Sequence, residues 1–172
     1  MSKEHKEKAL REITFKIIVV SSSRYEKKLK GERIEDKSGE LAIKLIGQYG
    51  YRIQSKIIIP DDKDAINSEI DKAEKEADAI ILIGGTGIGV EDYTYEVVKE
   101  KVEKEITGFG EIFRFLSYRE IGSSAILSRA YAGIRHGKLI ACIPGSTKAV
   151  KLALEKLILP EVGHILLHAR KG

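Results

Sequence analysis

The stretch ILIGGTGIGVEDYT, residues 81–94, decides the fold. Ile80, Ile81, Leu82 and Ile83 are all branched and apolar, and four glycines follow within positions 84–89. A short apolar run closed by glycine reads as a buried strand that opens into a loop. Glycines after a strand let backbone N–H groups approach a ligand, often an anion. Neither common phosphate-binding scheme fits. No Gly-Lys-Ser/Thr follows, and Gly84-Gly85-Thr86-Gly87-Ile88-Gly89 does not give G-x-G-x-x-G with an acid-tipped strand about 20 residues on. A tight turn without ligand is the competing reading.

Working outward from this strand, strand-like and helix-like patterns alternate. Residues 14–23, TFKIIVVSSS, form a β-branched run ending in serines. A long polar loop is expected over 24–37, followed by apolar residues at helical spacing over 39–50. YRIQSKIIIP, 51–60, is a second strand, and 61–77 an amphipathic helix with Asp61 or Asp62 as its N-cap. Beyond the glycine loop, 94–105 reads as helix and 108–122 contains a short aromatic one. Small residues over 125–134 continue as helix. KLIACIPGS, 138–146, is a fourth strand, and 147–170 is helical with an interruption at Pro160. Alternation of this kind implies βαβ units and a mostly parallel sheet flanked by helices. Ligands of such sheets sit at the carboxyl ends of the strands. Those ends read SSS, IIIPDD, IGGTGIG and IPGST, all small, polar or acidic.

Composition narrows the class. A chain of 172 residues is long enough for one domain with a sizeable core. Hydrophobic residues make up 42% and charged residues 33%, with a net charge of +4 in which Lys and Glu alternate. That is the pattern of solvated helix faces, with no basic stripe interleaved with aromatics, so no nucleic-acid partner is expected. No apolar run approaches the roughly 20 residues of a membrane span. The polar start, MSKEHKEKALRE, reads as a cytoplasmic N-terminus, with 1–13 a flexible extension. The single cysteine, Cys142, lies inside the run LIACI and reads as a buried structural thiol. Of the four histidines only His164 and His168 share a helical spacing, too few ligands for zinc.

The acids point to the reaction class. Asp61 and Asp92 each follow a strand, close to glycine or serine donors. Carboxylates beside a phosphate site repel the ligand unless a cation lies between, and Mg²⁺ held by one or two carboxylates plus substrate phosphates is the usual solution. Paired aspartates with phosphate-binding loops therefore suit phosphoryl or nucleotidyl transfer. A helix cap remains the alternative for Asp61.

Four motifs in order, GGTG with Asp92-Tyr93-Thr94, GFGEIFRFLS, ILSRAYAG and IPGSTKAV, resemble the MoaB/Mog family of molybdenum cofactor biosynthesis. The likeness runs from Phe15 to Leu159, and FRFLSYREIGSSAILSRAYAG with PGSTKA resembles its B branch. The resemblance implies a three-layer, Rossmann-like α/β fold over the whole chain. It implies a cytoplasmic homo-oligomer, trimer or hexamer. It also implies binding of molybdopterin and, in active members, transfer of AMP from Mg-ATP to the molybdopterin terminal phosphate. Carried over by motif, Asp61 and Asp92 are the acids of catalysis and Mg²⁺ handling. Ser21, Gly84, Gly85, Thr86, Gly87, Ser128, Gly145 and Ser146 line the ligand pocket, and Glu111 and Arg114 belong to a partly structural helix. Two departures stand out. Ser22-Ser23-Arg24 replaces the Ser-Asp-Arg of the Mog branch, and Glu91 stands where Arg commonly precedes the acid. A non-catalytic molybdopterin carrier or scaffold is the alternative these departures raise.

Overall fold

The computed structural model describes residues 12–171. The extension expected over 1–13 therefore falls almost wholly outside the described residues. Six strands form one sheet: β1 (Thr14–Val20), β2 (Arg52–Ile59), β3 (Ala79–Ile83), β4 (Lys104–Glu105), β5 (Tyr131–Arg135) and β6 (Lys138–Ile143). Their order is β2-β1-β3-β6-β5-β4. The first four in that order run parallel, β5 pairs antiparallel with β6, and β4 pairs antiparallel with β5 at the edge.

Helices cover both faces. Ile18, Ile80, Leu82, Ile140 and Cys142 point to one side, against Ile66 and Ile70 of α3 (Lys63–Ala73) and Val97 and Val98 of α4 (Thr94–Lys101). Ile17, Val19, Ile81, Ile83 and Ile143 point to the other. There they meet Ala42 and Ile46 of α2 (Lys37–Gln48), Phe113 of α5 (Thr107–Ile121), Val150 of α6 (Thr147–Ala153) and Val162 of α7 (Leu159–Ala169). Burial on both faces is why β1, β3 and β6 are near-continuous apolar runs and do not alternate. Each buried isoleucine contributes roughly 1.5–3 kcal/mol. The Cys142 thiol is fully buried, which pushes its pKa up to about 12.

Several sequence expectations need correction. The helix expected over 94–105 stops at Lys101, and Lys104–Glu105 instead form strand β4, paired with β5. The loop expected over 24–37 is shorter, because α1 (Ser22–Leu29) occupies its first half. Ser21 caps that helix, its Oγ accepting the Arg24 N–H at 3.3 Å. None of its residues is buried, so no apolar periodicity announced it. The helix expected over 125–134 is instead a 3₁₀ turn, Gly122–Leu127, followed by strand β5. A two-residue hairpin decides this: His136 and Gly137 both have positive φ, 47° and 70°, the geometry that joins β5 to β6. The aromatic helix is also not short, since α5 spans 15 residues. The interruption expected at Pro160 lies upstream, as a π turn over Leu154–Ile158, and the chain stays helical through Pro160 in the first turn of α7.

Candidate active site

Register brings the strand ends together. Val20 lies beside Ile59, Val19 beside Ile83, and Ile83 beside Ile143. Ser21, Asp61, Gly84 and Gly145 therefore emerge along one edge of the sheet, at the carboxyl ends where α/β ligands bind.

The glycines make room for carboxylates. Gly84 has φ 102° and donates its N–H to the Ile143 carbonyl at 3.0 Å, and a β-carbon there would strike the Val20 carbonyl. Gly85, at φ 67°, leaves no space for a β-carbon either, which would meet the Thr94 hydroxyl and come 2.6 Å from Asp61 Oδ2. At both Gly87 and Gly89 a β-carbon would come within 2.7 Å of Asp92 Oδ2. The glycine-rich loop is the shape left by packing a backbone against two acids.

Asp62, not Asp61, caps α3, accepting the Ala65 N–H at 2.9 Å. Asp61 is free for the cleft. Its own N–H donates to Ser22 Oγ at 3.0 Å, and its Oδ1 accepts the Tyr93 N–H at 3.0 Å. Burial pushes the Asp61 carboxyl above its usual range. The Tyr93 N–H opposes this, while the charges of Asp92, Glu96 and Glu91 add to it. Asp92 Oδ2 accepts the Gly89 N–H at 2.8 Å. Among the described residues no basic side chain pairs with either acid. Ser21, Ser22, Asp61, Glu91 and Asp92 line one cleft of about 490 Å³. No group of three His, Cys, Asp or Glu forms a ready metal cage among the described residues. Two carboxylates with unengaged oxygens suit Mg²⁺, which keeps waters and substrate phosphates in its shell.

A second cleft, also of about 490 Å³, lies across the glycine loop. Thr86, Gly87, Ser128, Gly145 and Ser146 line it with Lys148, and Phe113 and Leu127 supply an apolar wall. Ser146 Oγ caps α6, accepting the Ala149 N–H at 3.1 Å. Ser38 donates to the Gly145 carbonyl at 2.6 Å and ties that loop to α2. The motif residues thus divide between two clefts, with Gly84 and Gly85 in the loop between them. Arg114 donates to the carbonyls of Ala130 at 3.2 Å and Ser128 at 3.5 Å, splinting α5 to the approach of β5. Glu111 is exposed on α5.

Sequence reasoning missed Arg129. It stands alone as a charge among the small and apolar residues of 125–134, which is the one signal it gave. Its guanidinium reaches the carbonyls of Thr86, Gly87 and Asp92 and pairs with Glu96. It also stacks on Tyr95, 4.7 Å from the ring centroid. Burial pushes the Glu96 carboxyl up, but the Arg129 hydrogen bond and charge outweigh that and hold it below the usual range. The Thr94 hydroxyl, fully buried behind Gly85, was also missed; among the described residues it has no hydrogen-bond partner.

A family model described as a probable molybdopterin binding domain matches residues 16–164. A probable molybdopterin adenylyltransferase of Methanocaldococcus jannaschii is 44% identical, over 96% of this chain and 99% of its own. Molybdenum cofactor biosynthesis protein B of Bacillus subtilis is 42% identical, over 98% and 96%. Among solved structures, the tungsten cofactor synthesizing protein MoaB from Pyrococcus furiosus superimposes with a TM-score of 0.82 at 40% identity, covering 94% of this chain and 99% of that one. With the match spanning both clefts and the B-type relatives near full length, the chain belongs to the molybdopterin-binding MoaB/Mog family of molybdenum cofactor biosynthesis proteins, on its B side.

Proposed function

We propose that the protein transfers AMP from Mg-ATP to the terminal phosphate of molybdopterin, releasing pyrophosphate. The observation that carries this is the pair Asp61 and Asp92. Both face one cleft without a basic partner among the described residues, and a glycine loop separates them from a second, partly apolar cleft. A carboxylate pair left unneutralised against phosphate chemistry calls for a cation. Magnesium, when bound, supplies that neutralisation between Asp61, Asp92 and the nucleotide phosphates. The acidic cleft takes the nucleotide phosphates. The second, partly apolar cleft takes the pterin against Phe113 and Leu127, with Ser128, Ser146 and Lys148 as polar contacts. The nucleophile belongs to the substrate, so the chain contributes positioning and fixed charge. The glycine-loop amides face the charge that develops on phosphate oxygens.

The decisive experiment supplies purified protein with molybdopterin and Mg-ATP and measures adenylyl-molybdopterin and pyrophosphate together. Molybdopterin that binds yet is never adenylylated sinks the catalytic reading. One observation favours the alternative, a carrier or scaffold that only holds molybdopterin: Glu91, exposed at the acidic cleft, adds negative charge where phosphates must enter. Calorimetry with ATP separates the two. Magnesium-dependent nucleotide binding supports the enzyme, and tight pterin binding without it supports the carrier.

One sheet carries both clefts, so the chain acts as a single domain. A homo-oligomer, trimer or hexamer, accounts for an exposed apolar face on α5 and the 3₁₀ turn, where Phe115 is 62% and Ile126 78% exposed. A stable monomer in sedimentation contradicts that. The free thiol of Cys142 accords with a reducing compartment such as the cytoplasm.

A further inference from the structure

The segment from β3 to α4 must present particular backbone amides, and its glycines give it little preference of its own. Something outside the loop has to choose which way each peptide faces. Arg129 is placed to do so. Its Nε donates to the Thr86 carbonyl at 3.2 Å, and its Nη2 to the Asp92 carbonyl at 3.3 Å and to the Gly87 carbonyl. Three carbonyls of one loop converge on one guanidinium.

Across a planar trans peptide, the carbonyl of one residue and the N–H of the next point in opposite directions. The N–H groups of Gly87, Ile88 and Tyr93 are therefore turned away from Arg129. Tyr93 bears this out, since its N–H reaches Asp61 Oδ1 at 3.0 Å. The N–H groups of Gly87 and Ile88 have no acceptor among the described residues. Two consecutive amides unclaimed among the described residues are free to donate to an anion. Thr86 and Gly87 border the partly apolar cleft, which Arg129 does not line.

The guanidinium is itself held from further sides. Glu96 engages Nη1 and, at 3.2 Å, Nη2, while the Tyr95 ring lies against its plane. A lysine ammonium has no such fork and cannot span carbonyls and carboxylate together.

We propose that Arg129 is a positioning residue. With Glu96 orienting it, it sets residues 86–92 so that the Gly87 and Ile88 amides receive substrate phosphate oxygens, while the same fork turns the Tyr93 N–H onto Asp61. This rests on the adenylyl-transfer reading for the identity of those phosphates. It does not rest on that reading for the geometry.

Inorganic pyrophosphate is the probe, titrated into the ¹⁵N-labelled full chain by amide NMR. In the wild-type protein the Gly87 and Ile88 resonances shift on titration. In Arg129→Gln the affinity falls about tenfold or more, the loss of a charge-assisted contact's worth, with the remaining spectrum still dispersed. Arg129→Lys keeps the charge without the fork and matches the Gln variant. Glu96→Gln weakens binding about threefold. Wild-type affinity with the same two amide shifts in Arg129→Gln overturns the proposal, and so does full rescue by lysine, which assigns the effect to charge alone. Wild-type amides that ignore pyrophosphate overturn the cradle itself. Should Arg129→Gln not fold, Arg129→Lys and Glu96→Gln decide on the same readout. A wild-type protein that shifts these amides but makes no adenylyl-molybdopterin leaves the positioning role standing and removes the catalytic reading.

Discussion

Two half-buried aspartates stand at opposite ends of the sheet and titrate in opposite directions. Asp78 precedes β3 at the amino end, and Asp61 follows β2 at the carboxyl end. Asp78 Oδ2 accepts the Thr14 N–H at 2.9 Å, its Oδ1 meets Arg170 at 2.6 Å, and Lys138 lies 3.8 Å away. Burial pushes the Asp78 carboxyl up, but these partners outweigh burial and hold it below the usual range. Asp61 has one amide donor and three acidic neighbours, and its carboxyl stands above the usual range. Lys16 repeats the amino-end pattern. Though only 6% exposed, it donates to Ser55 at 2.7 Å and lies 3.4 Å from Glu69. One end of the sheet satisfies its charges for folding. At the other, Asp61 and Asp92 have no basic partner among the described residues, the pattern expected of a ligand site.

Breaking that division at the carboxyl end has the largest expected effect. Asp61→Asn or Asp92→Asn lowers adenylyl transfer about a thousandfold, near 4 kcal/mol of barrier, with the thermal midpoint within a few degrees of wild type. Wild-type turnover in either variant refutes the role given to that acid. Next comes the strand between the two ends. Ile81→Ala, at a fully buried position, costs about 2–5 kcal/mol of stability in denaturant titration. Asp78→Ala leaves the Thr14 N–H and Arg170 without their acceptor and costs about 2 kcal/mol, with turnover per folded molecule unchanged. A fall in turnover matching that of Asp61→Asn erases the distinction between the ends.

The smallest effect is a pH signature of opposite sign. Asp78 is depressed on folding, so its stabilising contribution is present above the usual carboxylate range and disappears as pH falls through its lowered folded value. Asp61 is raised, so its contribution is present below the usual range and disappears as pH rises through its raised folded value. Asp78→Asn therefore destabilises at neutral pH and converges on wild type in acid. Asp61→Asn is neutral or stabilising at neutral pH. Unfolding curves at pH 3 and pH 7 check both.

What the sequence revealed and what it hid follow from how local each signal is. The apolar runs ending at Val20, Ile59, Ile83 and Ile143 are contiguous, so the parallel core and its carboxyl-end site were legible without coordinates. Asp61 and Asp92 were legible because each stands next to its strand or loop. Whether Asp61 or Asp62 would cap α3 was not, since the choice depends on the Tyr93 N–H 32 residues away. β5 was misread as helix because Ala130 and Ala132 favour helix locally, and only pairing with β6 overrides them. Arg129 hid for the same reason. Its acceptors at Thr86 and Gly87 lie 43 and 42 residues away. Glu91 was legible as a departure, and its charge reappears among the causes that raise Asp61.

Cys142 has a practical consequence. The chain's one thiol lies at the centre of the sheet, between β3 and β5, with no exposed surface and little thiolate at neutral pH. An alkylating reagent meets it only when the central strands come apart. Each molecule takes up a single label in total, with no second cysteine to confuse the count. Where alkylation outpaces reclosing, the rate of mass gain in excess reagent is a built-in clock for global unfolding. It runs without a spectroscopic probe or an engineered residue, and ligands that clamp the sheet's carboxyl end should slow it.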